Sequence, residues 1–164
     1  MEKSLLQTKE FKHFMVEKYF NMIYKLALSQ TGEKEHAEDV TSDVFLKFIS
    51  TDKKFETEEH IKAWLIRVTI NCSKGIFSNS WFKKTVPLED NITVDMPDNE
   101  SEVYEAVLSL PHKYRAVIHL FYYEELSVAQ IAKYMKINES TVRSQLHRGR
   151  EMLKIKLKGE DEYV

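Results

Sequence analysis

The sequence predicts an all-α protein: two small helical domains joined by a flexible acidic linker. Three observations carry that reading. Four glycines and three prolines in 164 residues are about a third of the roughly 12% ordinarily supplied by these two breakers, too few for the turn that a β-sandwich needs about every 8 to 12 residues. Apolar residues recur at three- and four-residue spacing through most of the chain. Charge is also parcelled out. Residues 1–84 carry 14 Lys/Arg against 12 Asp/Glu, residues 85–102 carry none against 6, and residues 103–164 carry 10 against 8. The middle piece holds two of the three prolines and has no helical period, so it reads as a linker between domains 1–84 and 103–164.

In the first domain, Phe11, Met15, Tyr19, Met22, Ile23 and Leu26 form one helical stripe, closed by Thr31-Gly32. A second helix places Ala37, Val40, Val44, Phe45 and Phe48 on one face and leaves Glu38, Asp39, Ser42 and Asp43 largely off it. After the polar stretch Ser50 to Thr57, a third helix runs through Ile61, Trp64, Leu65, Val68 and Cys72, and three such helices can close a small core.

The second domain opens with a short helix around Val103, Val107 and Leu108, ended by Pro111, and continues with a helix from about His112 to Tyr123 that turns Val117, Leu120 and Phe121 inward. Ser127 then precedes Gln130 at the spacing of a reciprocal cap, in which the serine oxygen accepts from a backbone amide and the glutamine reaches back. That helix has Ile131, Ala132 and Met135 on its inner face. Lys136-Ile137-Asn138 makes a tight turn, and the last helix buries Val142 and Leu146 while showing Arg143, Ser144, His147 and Arg148. Two short helices, a tight turn and a small residue at their approach are the requirements of a helix-turn-helix. Between Glu139 and Lys158 six Lys/Arg stand against two Glu, so this face suits phosphates and base edges.

Several function classes lose their footing. The six histidines are scattered, with no His-Glu-x-x-His spacing, nucleophile elbow or phosphate loop, so neither an enzyme nor a metal site is expected and no cofactor is implied. Cys72 stands alone, without a disulfide partner or a thiolate cluster. The N-terminus Met-Glu-Lys-Ser-Leu-Leu-Gln lacks an apolar signal segment, and a charge-free run such as Gly75 to Phe82 is far too short to span a bilayer; a cytoplasmic location is expected.

Four ordered stretches carry a family resemblance: residues 36–48 (His-Ala-Glu-Asp-Val-Thr-Ser-Asp-Val-Phe-Leu-Lys-Phe), 63–71 (Ala-Trp-Leu-Ile-Arg-Val-Thr-Ile-Asn), 110–117 (Leu-Pro-His-Lys-Tyr-Arg-Ala-Val) and 139–150 (Glu-Ser-Thr-Val-Arg-Ser-Gln-Leu-His-Arg-Gly-Arg). From about Phe11 to Leu157 the chain resembles an extracytoplasmic-function sigma factor of the sigma-70 family, the promoter-recognition subunit of RNA polymerase reduced to regions 2 and 4. The resemblance implies that Arg143, Ser144, His147 and Arg148 face the major groove at the −35 element. Gln145 departs from a frequent basic residue, Gly149 from the usual alanine, and Lys136 from a turn glycine.

For region 2 the resemblance implies that Glu38, Asp39, Ser42 and Asp43 dock on the polymerase β′ clamp, with Ser42 replacing the common glutamine. It places Lys53, Lys54, Phe55, Asn71 and Lys74 at the −10 element, where unstacked bases are captured. Trp64, spaced with Ile61 and Val68, reads as core in preference to a stacking platform, and the cluster Trp81-Phe82-Lys83-Lys84 suits either nucleic acid or core. The implied partners are core RNA polymerase through the β′ clamp and the β flap, promoter DNA, and an anti-sigma protein; the flap contact is expected around Val117 to Tyr123. A stand-alone helix-turn-helix regulator is the alternative. It leaves the region 2 resemblance unexplained.

Overall fold

The computed structural model describes residues 5–78 and 101–161, and every regular element among them is helical. The linker residues 85–100 and the pair Trp81 and Phe82 lie outside the described residues. The chain divides into two compact units, Met1–Val94 and Asp95–Val164.

In the first unit a short 3-10 turn, Leu5–Gln7, leads into α1 (Lys9–Thr31), α2 (Lys34–Ser50) and α3 (Glu58–Ser78), which pack against one another as a three-helix bundle. Thr8 caps α1 by accepting from the Phe11 amide at 3.2 Å. Gly32, at φ 76°, takes the left-handed conformation that ends the helix, its amide donating to the Leu28 carbonyl. The core is aromatic at one end. Phe48 meets Phe55 and Trp64 with ring centroids 5.7 and 5.9 Å apart, and Phe55 meets Trp64 at 5.7 Å. Trp64 is therefore part of the core, as its spacing suggested.

The end of α2 is held from α1. Lys12 is buried, and its ammonium donates to the Ile49 and Thr51 carbonyls at 3.4 and 3.2 Å, two acceptors that the terminating helix leaves unmatched. The same charge lies 5.7 Å from the centroid of the Phe48 ring. At the far side of the connection, the Thr57 hydroxyl accepts from the His60 amide at 3.0 Å and opens α3. Glu58 receives hydrogen bonds from Lys18 at 2.9 Å and from the Tyr19 hydroxyl at 3.1 Å. These bonds, led by that from Lys18, hold its carboxyl below the usual value. Gly75 does not interrupt α3, which continues through it to Ser78.

The second unit comprises α4 (Ser101–Leu108), α5 (His112–Ile118), a π-helical turn (His119–Tyr123), α6 (Val128–Met135) and α7 (Glu139–Asp161). The wide turn is closed by the Glu124 amide donating to the His119 carbonyl at 3.2 Å. His119, 3% exposed, stacks on Tyr123 and lies 3.5 Å from the Glu124 carboxylate. Burial on α6 differs from the expected face: Tyr134 is 2% exposed and Met135 only half-buried. Tyr134 follows Ile131 by three residues, so the inner stripe runs 131–134 and leaves Met135 on its flank.

Candidate nucleic-acid interface

The capping pair read from the sequence is formed in both directions. The Gln130 amide donates to Ser127 Oγ at 3.1 Å, and the Ser127 amide donates to Gln130 Oε1 at 2.9 Å, so the start of α6 is fixed. Its end is fixed by Lys136, whose φ of 58° and ψ of 46° are left-handed, and by the Ile137 amide donating to the Ala132 carbonyl at 3.0 Å. A lysine adopts this conformation at a conformational cost.

Past that turn, α7 turns Val142 and Leu146 into the core at 0% and 1% exposure and leaves Arg143, Ser144, His147 and Arg148 exposed. Positions 143 and 147, and 144 and 148, are one turn apart, so the four donors form one patch. Arg143 is 3.9 Å from Glu139 across an exposed turn, a pair too solvated to immobilise it. On α5 the pKa of the Tyr114 phenol is lowered, by Arg148 first and by Lys113 as well. Gly149 has a structural reason. A Cβ there would come within 3.0 Å of Ile118 Cγ1, so the missing side chain lets α7 lie close on α5.

In the first unit the expected −10 residues separate into two groups. Lys53 and Lys54 are exposed between α2 and α3, while Asn71 and Lys74 are exposed on α3. Asn71 lies two turns, about 10 Å, beyond Trp64, the residue that Phe55 meets. Phe55 itself requires a correction: it is 1% exposed and packed among Phe48, His60 and Trp64, so it belongs to the core and offers no face to a base. Arg67, partly exposed one turn before Asn71, shares the Asn71 face and escaped the sequence reading although its spacing was available.

The acidic face of α2 is also less open than expected. Asp39 is buried at 7% exposure, which corrects its reading as a solvent-facing acid. The Glu38 side chain is 17% exposed and lies 4.0 Å from Lys34; Asp43 is 3.3 Å from Lys47 and accepts from the Cys72 thiol at 3.4 Å. Burial first, and Asp43 second to it, push that thiol's pKa up against the opposing pull of Lys47. Beside these, α2 presents half-buried Ser42 and two exposed apolar residues, Leu46 and Ile49, at 66% and 53%. Both apolar residues fall off the buried stripe 37–40–44–48, which was the signal for a second, outward-facing apolar strip.

A cavity of about 580 Å³ lies in the second unit, its walls formed by Val107, Ile118, Tyr122, Leu153 and Leu157 with Arg150 and Lys154. Arg150 lies 5.5 and 5.6 Å from the Phe121 and Tyr122 ring centroids and donates to the Tyr122 hydroxyl. Among the described residues no group of three or more His, Cys, Asp or Glu could hold a metal ion, and no helix is long and apolar enough to cross a membrane.

Comparison with known proteins matches the chain to two family models. Residues 15–77 match the family model for sigma-70 region 2, and residues 100–153 match that for sigma-70 region 4. The chain is 26% identical over 164 residues to the ECF RNA polymerase sigma factor SigW of Bacillus subtilis (strain 168), covering 88% of this chain and 87% of that protein. With SigM of the same organism it shares 28% identity over 147 residues, 83% of this chain and 88% of the relative. Among solved structures, the sigma factor RpoE, crystallised with the anti-sigma factor NepR from Bartonella quintana, matches with a TM-score of 0.66 at 20% identity, covering 92% of this chain and 98% of that one.

Proposed function

We infer how this chain divides its work from the family to which it belongs: it is an extracytoplasmic-function sigma factor of the sigma-70 family, carrying regions 2 and 4. As such it binds core RNA polymerase and directs promoter-specific transcription initiation at −35 and −10 elements. The reading of individual residues is ours. Arg143, Ser144, His147 and Arg148 enter the major groove at −35, where arginine can take guanine by two hydrogen bonds. The observation that carries this assignment is their joint exposure on α7, beyond a helix capped at both ends. Lys53 and Lys54 hold phosphates near the melted −10 strand, and Asn71 with Lys74 meets its bases and backbone.

Region 2 docks on the β′ clamp through α2. Leu46 and Ile49 supply the apolar centre, Ser42 a polar contact, and Glu38 and Asp43 a charged margin that raises association rate and specificity. The second unit meets the β flap through the apolar surface around Tyr122 and the neighbouring cavity. An anti-sigma protein competing for these surfaces, and a cytoplasmic site of action beside the polymerase, complete the proposal. The reaction chemistry is the polymerase's own. Each DNA contact alone is weak, and core supplies the geometry that makes the second contact intramolecular.

Adding the purified protein to core RNA polymerase should give transcripts with defined 5′ ends, and Arg148→Ala should weaken −35-dependent initiation far more than core binding. Operator binding as a free dimer with no effect on core would overturn the scheme. Equal loss of promoter recognition and core binding in Arg148→Ala would remove Arg148 from the −35 face.

A further inference from the structure

The segment between α2 and α3 is tied down within the protein itself, and two of its ties come from the N-terminal end of the bundle. At its start the Thr51 carbonyl accepts from Lys12 at 3.2 Å, and the Lys53 amide donates to the Thr51 hydroxyl at 3.2 Å. At its other end the Phe55 carbonyl accepts from Gln7 Nε2 at 3.0 Å, across 48 residues of chain. The Glu56 amide, next along, donates to His60 Nδ1 at 3.4 Å. Gln7 is itself held in place. Leu6 beside it is 1% exposed in the core, and the Thr8 amide and hydroxyl both donate to the Leu5 carbonyl, at 3.2 and 3.0 Å, closing the 3-10 turn. Gln7 and Lys12 both precede residues 15–77, the stretch matched to sigma-70 region 2.

Resting on the assignment of Lys53 and Lys54 to the melted −10 strand, we propose that Gln7 is a positioning residue for promoter opening: its bond to the Phe55 carbonyl holds the segment that presents the two lysines. The buried Phe55 ring fixes where the chain enters the core, but a ring alone leaves the peptide plane beyond it free to turn. Gln7 fixes that plane. Only Asp52, Lys53 and Lys54 stand between Thr51 and Phe55, the residues whose carbonyls are clamped, and three residues pinned at both ends cannot wander far. Capturing a single strand costs the ordering of the groups that hold it, so a segment already shaped by the fold loses less on binding. Both lysines are exposed. The clamp therefore restrains their backbone and leaves their ammonium groups open to phosphate.

The test uses holoenzyme reconstituted with the full chain as wild type, Gln7→Met, Lys53→Ala with Lys54→Ala, and all three substitutions together. The template is a promoter recovered by sequencing transcript 5′ ends after overexpression, carrying mismatches that hold its −10 element single-stranded. Methionine keeps the length of Gln7 and removes the donor. Gln7→Met should weaken binding to this template about two- to tenfold, the scale of one neutral hydrogen bond. In the background lacking both lysines it should add nothing, while core affinity stays unchanged. In the free protein, amide exchange should quicken at residues 53–56 and not in α3. Equal loss in both backgrounds, unchanged exchange in that segment, or faster exchange throughout the first unit would overturn the positioning role. If loss of the lysine pair weakens binding and Gln7→Met does not, only the positioning role falls; if loss of the pair leaves binding intact, the −10 assignment of Lys53 and Lys54 falls with it.

Discussion

The two units expose their candidate DNA contacts in opposite ways. On α7 every residue expected at the interface is exposed, and the buried residues alternate with them at helical spacing. In the segment between α2 and α3, adjacent residues part company: Lys53 and Lys54 face solvent, while Phe55 fills the core against Phe48 and Trp64. A helix distributes its functions around a face, whereas a connecting segment distributes them residue by residue. The part of the first unit's contact surface that lies between α2 and α3 is therefore inseparable from its packing. The second unit's surface can be altered without touching its core.

The sharpest way to break that contrast is Phe55→Ala. Truncating a fully buried phenylalanine should cost about 3–5 kcal/mol of first-unit stability, read as a lowered denaturant midpoint; a base-stacking residue would leave the midpoint in place. Next comes Lys12→Met, which keeps apolar bulk but strips two carbonyls of their charged donor. A loss of about 1.5–3 kcal/mol is expected, with faster amide exchange in the last turn of α2 than elsewhere in the bundle. In the second unit, Lys136→Gly should raise stability by about 1 kcal/mol, because the turn needs a left-handed residue; no gain would mean that the lysine is held there by contacts elsewhere.

The smallest effect concerns Glu58. Its folded pKa is depressed below the ordinary 4.5, with the hydrogen bond from Lys18 the largest cause. Its contribution is thus fully present above the unfolded pKa and is lost as pH falls through the folded value. The pair is more than a third exposed, so after solvent screening Glu58→Gln should cost under about 1 kcal/mol at neutral pH and nothing in strong acid. An equal cost at both pH values would assign the effect to packing.

Legibility in the sequence followed the same division. The Ser127–Gln130 cap could be read because its chemistry is local, and the exposed face of α7 because its period is 3.6 residues. Phe55 was misplaced because a connecting segment has no period to say which side chain turns inward. Asp39 was misplaced because a carboxylate beside an apolar stripe can lie on its buried flank. Leu46 and Ile49 were overlooked as exposed residues, since apolar character alone does not reveal which of two faces a partner covers. The π-helical turn left no local mark at all. Gly149 reads in the sequence only as a departure from the usual alanine, and the 3.0 Å approach of a Cβ there to Ile118 supplies a packing reason.

The bond from Lys12 to the end of α2 also has a kinetic meaning. The acceptors at Ile49 and Thr51 lie 37 and 39 residues along the chain from their donor, and the Ser50 side chain bonds back into its own helix, at the Leu46 carbonyl. The last turn of α2 should therefore consolidate only after α1 has docked. In a folding experiment, truncations at Lys12 would then have low φ-values and act mainly on the unfolding rate, while the α1 cap at Thr8 forms early. The segment bearing Lys53 and Lys54 would be among the last parts of the bundle to take its final course.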